Sequence, residues 1–396
     1  MKNYYQYENY PRILDKNDFL KRLKNKIIFR PDKRHHLPFK ELEVNSENVF
    51  DLAQPTITGL FDDLVPGSKL MEEFMTEWEK FQASESSYGT WVFYRKKNHL
   101  VRFVPFFWHR LALLLRNSTL YRDPEMKMEW QKIRELFEKQ VIAVAGCSIG
   151  NNAAHAIAGD IRPLHMKVAD YKDYEMHNAN RVRLTYADFH RNKALVTAEQ
   201  INAVDPFMKV SVFSEGVHET NVSDFIAGNK SRSEPPVSFV VEETDDPDIK
   251  ILIRQEARRR GVPVIMVTDM GSAVQLDIRR FDIDNKLPLA ACAVSDEELF
   301  SKRDRWQADL ADRNKFFEFA FTLIGHNHLL VPEFKKIILK EEEILFGGIP
   351  QLGSTAMMAG GMAAEAIARI TLGFKMPERM FINKHTGEVL INGGKI

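Results

Sequence analysis

The rhythm of apolar and polar positions changes near residue 140. Before it the pattern is mixed. KNKIIFRP and ELEVN read as two short strands around the polar turn PDKRHHLPFK. NVFDLAQPTITGLFDDLV follows, and after the loop pair Pro66-Gly67 comes SKLMEEFMTEWEKF. That last segment sets Leu70, Met71, Phe74, Met75, Trp78 and Phe81 at helical spacing with Glu and Lys between them. A hairpin with helices predicts a small α+β, winged-helix-like module over residues 1–85. Over 86–139, a connector, GTWVFYR and HLVRFVPFFW read as a strand pair around RKKN. WHRLALLLRN reads as a short buried helix, and 126–139 as an amphipathic helix.

From Gln140 the signal is regular. QVIAVAG is short, apolar and β-branched, as a buried parallel strand is, and HMKVADY, KVSVFSEGV, VSFVVEETDD and VPVIMVTDM read as four further strands. KALVTAEQINA and IKILIRQEARRRG, the latter stopped by Gly261, are helical stretches between them. GSTAMMAGGMAAEAIARITLG predicts a helix of small residues, and MFINKHTGEVLING a hairpin. Strands alternating with helices predict a doubly wound, mainly parallel, Rossmann-like α/β sheet over residues 140–396.

Composition narrows the function classes. Lys+Arg and Asp+Glu number 55 each, which argues against a protein held to nucleic acid by a basic surface. Two Cys exclude a disulfide framework and a four-cysteine zinc site. The polar, aromatic start MKNYYQYENYPRILDKN lacks the apolar core of a signal peptide, and no apolar run reaches membrane-spanning length. A cytoplasmic protein with no membrane partner is expected.

The candidate chemistry gathers after the first strand of the regular part. AGCSIG occupies 145–150, between a strand and a helix, where backbone N–H groups and the helix dipole receive phosphate. It is a degenerate dinucleotide fingerprint, with Ala145, Cys147 and Gly150 in the glycine positions and Gly146 and Ser148 as small residues between them. Asp170 ends the second strand 20 residues after Gly150, where an acid accepts from ribose hydroxyls. Asn180-Arg181 follows that strand, Lys193 opens a helix, and Asp245 follows the fourth strand. A guanidinium, an ammonium and a carboxylate at successive strand ends are the inventory for a triphosphate with magnesium. A dinucleotide-dependent oxidoreductase needs no such set.

The ordered spacing resembles the ThiF/MoeB superfamily, the adenylating relatives of ubiquitin-activating enzymes. The family pattern runs from a glycine loop through D-x-D-x-V-x-x-x-N-L-x-R, a Lys and Asn-Pro to D-x-T-D-N. Here DYKDYEMHNANR keeps the Asp-to-Arg spacing of eleven, and Lys193, Asp205-Pro206 and EETDD follow in order. The match covers roughly residues 110–280, and more loosely the rest. Lys172, Asp205 and Asp246 are departures from it. The resemblance implies that the 145–150 loop holds ATP phosphates, that Asp170 binds ribose, and that Asn178, Arg181 and Lys193 contact phosphate. It implies magnesium at Asp245. It also implies a homodimer in which an N-terminal Arg reaches the partner's site, with Arg116 the candidate and Arg122 a weaker one. The paired C-x-x-C motif of many members is absent, which implies no zinc.

The chemistry implied is adenylation of a carboxylate followed by capture of the acyl-adenylate. Cys147 reads as a small loop residue and Cys292 as a buried apolar one, so a thiol route to a sulfur carrier or ubiquitin-like protein is the alternative. A nucleotide-binding scaffold without turnover is another. Peptide-modifying members, such as those making microcin C and pantocin A, carry a small peptide clamp ahead of this domain. That implies a ribosomally made peptide as substrate, its leader on the N-terminal module as an added strand. Glu242, Glu243 and Asp246 are candidate acid/base groups beside the site. His35-His36 reads as a solvated turn and Gly393-Gly394 as an ordinary tail.

Overall fold

A computed structural model describes residues 12–13, 28–29, 42–43, 49–64, 66–83, 88–94, 97, 99–121, 128–291, 294–339, 351–392 and 394–395. The chain forms two compact units, one of residues 1–120 with 202–207, the other of 121–201 with 208–396.

The first unit contains a four-stranded sheet in the order β1 (Arg12–Ile13), β5 (Thr90–Tyr94), β6 (His99–Phe103), β4 (Val49–Asp51), with β2 (Ile28–Phe29) and β3 (Leu42–Glu43) paired apart from it. The β5–β6 and β2–β3 pairs are antiparallel, as strand pairs joined by the polar turns RKKN and PDKRHHLPFK are expected to be. The helices are α1 (Ala53–Asp63), α2 (Lys69–Ala83) and α3 (Phe106–Leu120). Of the stripe read on α2, Phe74 is fully buried, with its ring edge-on to Trp108 at 5.5 Å, Leu70, Met71, Trp78 and Phe81 are half-buried, and Met75 is exposed. Arg110, also fully buried, donates to Asp205 Oδ2 at 2.6 Å, so the residue that departs from the family's Asn-Pro takes a cation here.

The second unit begins with α4 (Trp130–Glu138) and is built on a nine-stranded sheet. Its parallel part runs β9 (Lys209–Phe213), β8 (His165–Ala169), β7 (Val141–Ala145), β10 (Phe239–Glu242), β11 (Val264–Met270). Each strand falls on an apolar run read from the sequence. Four antiparallel strands extend it: β12 (Ala273–Arg279), β13 (Arg379–Asn383), β14 (Glu388–Ile391) and β15 (Gly394–Lys395). From β7 the chain winds outward through β8 to β9, then returns to β10 on the other side of β7. The winding therefore reverses between β7 and β10, and a crevice opens there beyond the carboxyl ends of the strands.

The helices of this unit are α5 (Ile149–Asp160), α6 (Lys193–Val204), α7 (Val222–Ala227), α8 (Pro247–Arg260), α9 (Asp296–Gln307), α10 (Arg313–Ile324), α11 (Pro332–Leu339) and α12 (Gly353–Thr371). Asp246 caps α8 by accepting from the amides of Asp248 and Ile249 at 2.9 and 3.3 Å, and Gly261 ends it at φ 64°. The small residues of α12 let it lie directly on α5. A Cβ on Gly360 would stand 2.6–2.8 Å from the backbone of Asn152 and Ala153, whereas one on Gly361 would meet nothing within 4 Å. Gly360→Ala is expected to cost about 1–3 kcal/mol by overpacking. Gly361→Ala is expected to add about 0.5–1 kcal/mol through helix propensity. Urea unfolding of the two variants checks the opposite signs.

Candidate nucleotide cleft

The turn after β7 is shaped by backbone approach. Gly146 sits at φ 91°, and a Cβ there would lie 2.5 Å from the carbonyl oxygen of Glu243. Both facts require glycine. Gly150 lets α5 close on β7, since its Cβ would come 2.9 Å from Val144 Cγ1. Asp170 ties this turn to β8: its carboxylate accepts from the amides of Cys147 at 2.7 Å and Lys172 at 2.8 Å. Cys147 is fully buried, its Sγ 3.7 Å from the Ala169 carbonyl oxygen, and burial pushes its thiol well up.

The segment after β8 folds back over the turn. Buried Tyr174 donates its hydroxyl to the Cys147 carbonyl oxygen at 2.7 Å. A 3-10 turn, Met176–Asn180, then places Asn178 and Arg181. Asn178 is 1% exposed; its Oδ1 accepts from the Glu175 amide at 3.0 Å, while its Nδ2 has no acceptor among the described residues. Arg181 Nε donates to Ser148 Oγ at 3.0 Å and Nη1 to Asn180 Oδ1 at 2.9 Å, and burial draws its pKa down. Lys193, the first residue of α6, is 7% exposed, with Nζ 5.8 Å from the centre of the Tyr174 ring. Among the described residues its ammonium has neither a hydrogen-bond acceptor nor a carboxylate partner.

These groups share one cleft of about 950 Å³ over the carboxyl ends of the parallel strands, where Ser148, Asn178, Arg181, Lys193 and Asp245 line it. Gly146, Gly150 and half-buried Asp170 are not among the lining residues, but Tyr171 and Lys172, which follow Asp170 in the chain, are. Phe317, Phe321 and Ile324 of α10 and Phe334 of α11 form an apolar wall. A smaller hollow of about 450 Å³, bounded by Gln140, Phe239 and Val262, lies at the amino ends of the strands, away from the turn.

The acidic run after β10 divides its work. Glu242 is fully buried and taken up by Lys250 and by Arg254, whose Nε lies 2.7 Å from Oε2, so it is structural. Asp246 is the cap of α8. Asp245 stands out in solvent at the rim, 3.7 Å from Lys172 Nζ. Glu243 lines the cleft, keeps some solvent contact and accepts from the Val267 amide at 2.7 Å. Burial raises its pKa to about 8. The folded protein thus holds the Glu243 proton above the ordinary carboxylate range, and this contribution to stability is lost as pH rises toward 8. Between pH 5 and 8, urea midpoints of the wild type are expected to fall more than those of Glu243→Gln. The difference is on the order of 1 kcal/mol per pH unit for one proton.

Asp269, at the end of β11, was not legible as a site residue. It lines the cleft, is 6% exposed, and accepts from the Gly271 amide through Oδ1 at 3.1 Å. Its Oδ2 has no donor among the described residues, and burial raises its pKa to about 7. An acid inside the apolar run VPVIMVTDM is the signal that marks it.

Arg116 falls in α3, but its side chain lies outside the described residues, as do Arg122, Cys292, His35, His36 and Gly393. No group of three or more His, Cys, Asp and Glu side chains fit for a metal occurs among the described residues. Magnesium in phosphate chemistry takes one or two carboxylates beside the phosphates and keeps its remaining ligands as water. The single, solvent-facing Asp245 carboxylate suits that role. No helix among the described residues is long and apolar enough to cross a membrane.

Comparison with known proteins bears on this architecture. The model of the ThiF family matches residues 128–388. An uncharacterized protein of Mycobacterium tuberculosis, MT1398, is 28% identical over 232 residues, which are 59% of this chain and 30% of that protein, so the chain matches about a third of that relative's length. Among solved structures, PaaA is similar at 14% identity and a TM-score of 0.49, covering 71% of this chain and 81% of that one. Escherichia coli MccB is similar at 14% identity and 0.45, covering 67% and 65%. Escherichia coli tRNA N6-threonylcarbamoyladenosine dehydratase, TcdA, solved with AMP, is similar at 17% identity and 0.45, covering 67% and 96%. With a doubly wound sheet, a strand-to-helix turn at its switch point and a family match over residues 128–388, the chain belongs to the ThiF family.

Proposed function

We propose that the cleft binds ATP and adenylates a carboxylate of a ribosomally made peptide. The observation that carries the nucleotide site is a pair of incomplete groups in its lining: Lys193, whose ammonium has no anion, and a buried Asn178 amide with no acceptor, among the described residues. Leaving the buried amide unpartnered costs free energy. Phosphate oxygens would satisfy both.

The other residues follow from that placement. Arg181, fixed by Ser148, presents its remaining N–H groups to the same oxygens. Asp170 takes the ribose side, its carboxylate oriented by two backbone amides. Asp245 would hold magnesium, which supplies charge neutralisation on the phosphates. The substrate carboxylate attacks the α-phosphorus. An acyl O–P bond forms, the bond to pyrophosphate breaks, and Lys193 and Arg181 offset the charge that builds on the phosphoryl oxygens. Arg116 of a second copy is the further cation this reading expects.

The buried thiol of Cys147 supports capture of the acyl-adenylate by a nitrogen rather than by a thiol in the loop. The unit that precedes the adenylating domain supports a peptide as the substrate. ATP–pyrophosphate exchange with peptides encoded beside the gene tests this. Exchange with one peptide, lost in Asp245→Ala, is the expected result. Exchange only with a sulfur-carrier or ubiquitin-like protein would overturn the peptide reading. ATP binding without exchange toward any carboxylate would mean a scaffold.

A further inference from the structure

The nucleotide reading, on which this inference rests, gives the cleft a direction. β8, which leads to Asp170, flanks β7 on one side, and β10 and β11 lie on the other. A nucleoside held at Asp170 extends over β8, so the acyl group on the far side of the α-phosphorus extends over β10 and β11. That half of the cleft has its own chemistry. Phe317 and Phe321 stack with centroids 5.5 Å apart and planes 10° apart, and Ile324 and Phe334 continue the apolar wall. Asp269 lines the same half and is 6% exposed, with an Oδ2 that meets no donor among the described residues. Lys384, whose charge is felt at Asp269, gives its ammonium to the hydroxyls of Ser354 and Thr355, at 2.5 Å each. Burial accordingly leaves the Asp269 carboxyl high, near 7.

A buried carboxyl oxygen without a donor is costly, and a ligand N–H would remove that cost. An apolar wall with one such acceptor is built for a group that is apolar at one end and bears an N–H beside it. We infer that this half of the cleft is the acyl pocket, taking an amino-acid residue with a large apolar side chain whose backbone nitrogen donates to Asp269 Oδ2. The nitrogen belongs either to a free amino acid or to the last residue of a peptide.

Calorimetric titration of the full chain with four probes tests this: AMP, and the glycyl, phenylalanyl and N-acetylphenylalanyl sulfamoyl adenosines. The phenylalanyl probes are expected to bind about 10- to 100-fold more tightly than the glycyl one, from burial of the ring. Asp269→Asn, which keeps an acceptor for the Gly271 amide, is expected to weaken the favoured phenylalanyl probe about tenfold. It should leave AMP unchanged within about twofold, which also reports that the variant is folded. Phe317→Ala should narrow the gap between the phenylalanyl and glycyl probes. Tighter binding of the free amine means an amino acid; tighter binding of the acetylated probe means a peptide. AMP binding with no preference for phenylalanyl over glycyl overturns the pocket and leaves the nucleotide reading standing. An unchanged Asp269→Asn overturns the role of Asp269. Failure of AMP itself to bind overturns the nucleotide reading, and this one with it.

Discussion

Lys193→Ala is expected to lower ATP–pyrophosphate exchange by about 100- to 1,000-fold, the usual effect of removing one preorganised stabiliser of developing charge. Its stability is expected to stay within about 1 kcal/mol of wild type. Lys193 lines the cleft beside the Tyr174 ring with no anion or hydrogen-bond acceptor for its ammonium among the described residues, so the variant breaks no ion pair or hydrogen bond of the fold. It removes the phosphate partner alone. Exchange and urea unfolding measured on the same preparation separate this from collapse of the site. Lys193→Ala with exchange within about threefold of wild type would contradict the role assigned to it.

The second large effect is on stability. Arg254→Ala is expected to cost about 3–5 kcal/mol in urea unfolding, because it strands a buried carboxylate. Glu242 is fully buried and Arg254 is 1% exposed; Nε donates to Oε2 at 2.7 Å, and Nη1 donates to the Leu289 carbonyl oxygen at 2.9 Å. Lys250 alone is left to hold Glu242 in the variant. The triple variant Glu242→Leu/Lys250→Met/Arg254→Met should recover most of the loss, since it removes the carboxylate and both of its cations and keeps apolar volume. A loss under about 1 kcal/mol in Arg254→Ala would show that the pair is more hydrated than its burial indicates.

The parallel half of the large sheet was open to reading because its strands are mostly buried on both faces and so are largely apolar; β8 and β10 have every residue buried, although His165, Lys167 and Glu242 break their apolar runs. β12 escaped for the opposite reason. All seven of its residues are buried, yet Gln275, Asp277 and Arg279 interrupt the apolar pattern. Their polar atoms find partners from distant segments: Gln275 Nε2 donates to the Ile324 carbonyl oxygen at 2.6 Å, and Arg379 Nε to Asp277 Oδ1 at 2.5 Å. No local pattern encodes such pairing. α9, α10 and α11 escaped as well, since mixed charge and aromatic clusters such as DRNKFFEF blur the helical stripe.

In the cleft, the sequence order located Ser148, Asn178, Arg181, Lys193 and Asp245, because their positions follow strand ends that the pattern reveals. What separates Glu242 from Glu243 is invisible there. They are neighbours, and only the strand's alternation sends one toward Arg254 and the other toward the cleft. Asp269 needed the structure too, since an acid at a strand end counts only once its burial and its empty acceptor are known.

The central claim is that a carboxylate oxygen of the substrate attacks the α-phosphorus of ATP. The most direct measurement supplies the substrate peptide with its carboxyl groups labelled with oxygen-18 and follows the label by mass spectrometry after turnover. The account predicts AMP carrying one labelled oxygen, with unlabelled pyrophosphate. Label in inorganic phosphate, with ADP as the nucleotide product, would mean attack at the γ-phosphorus and would contradict it.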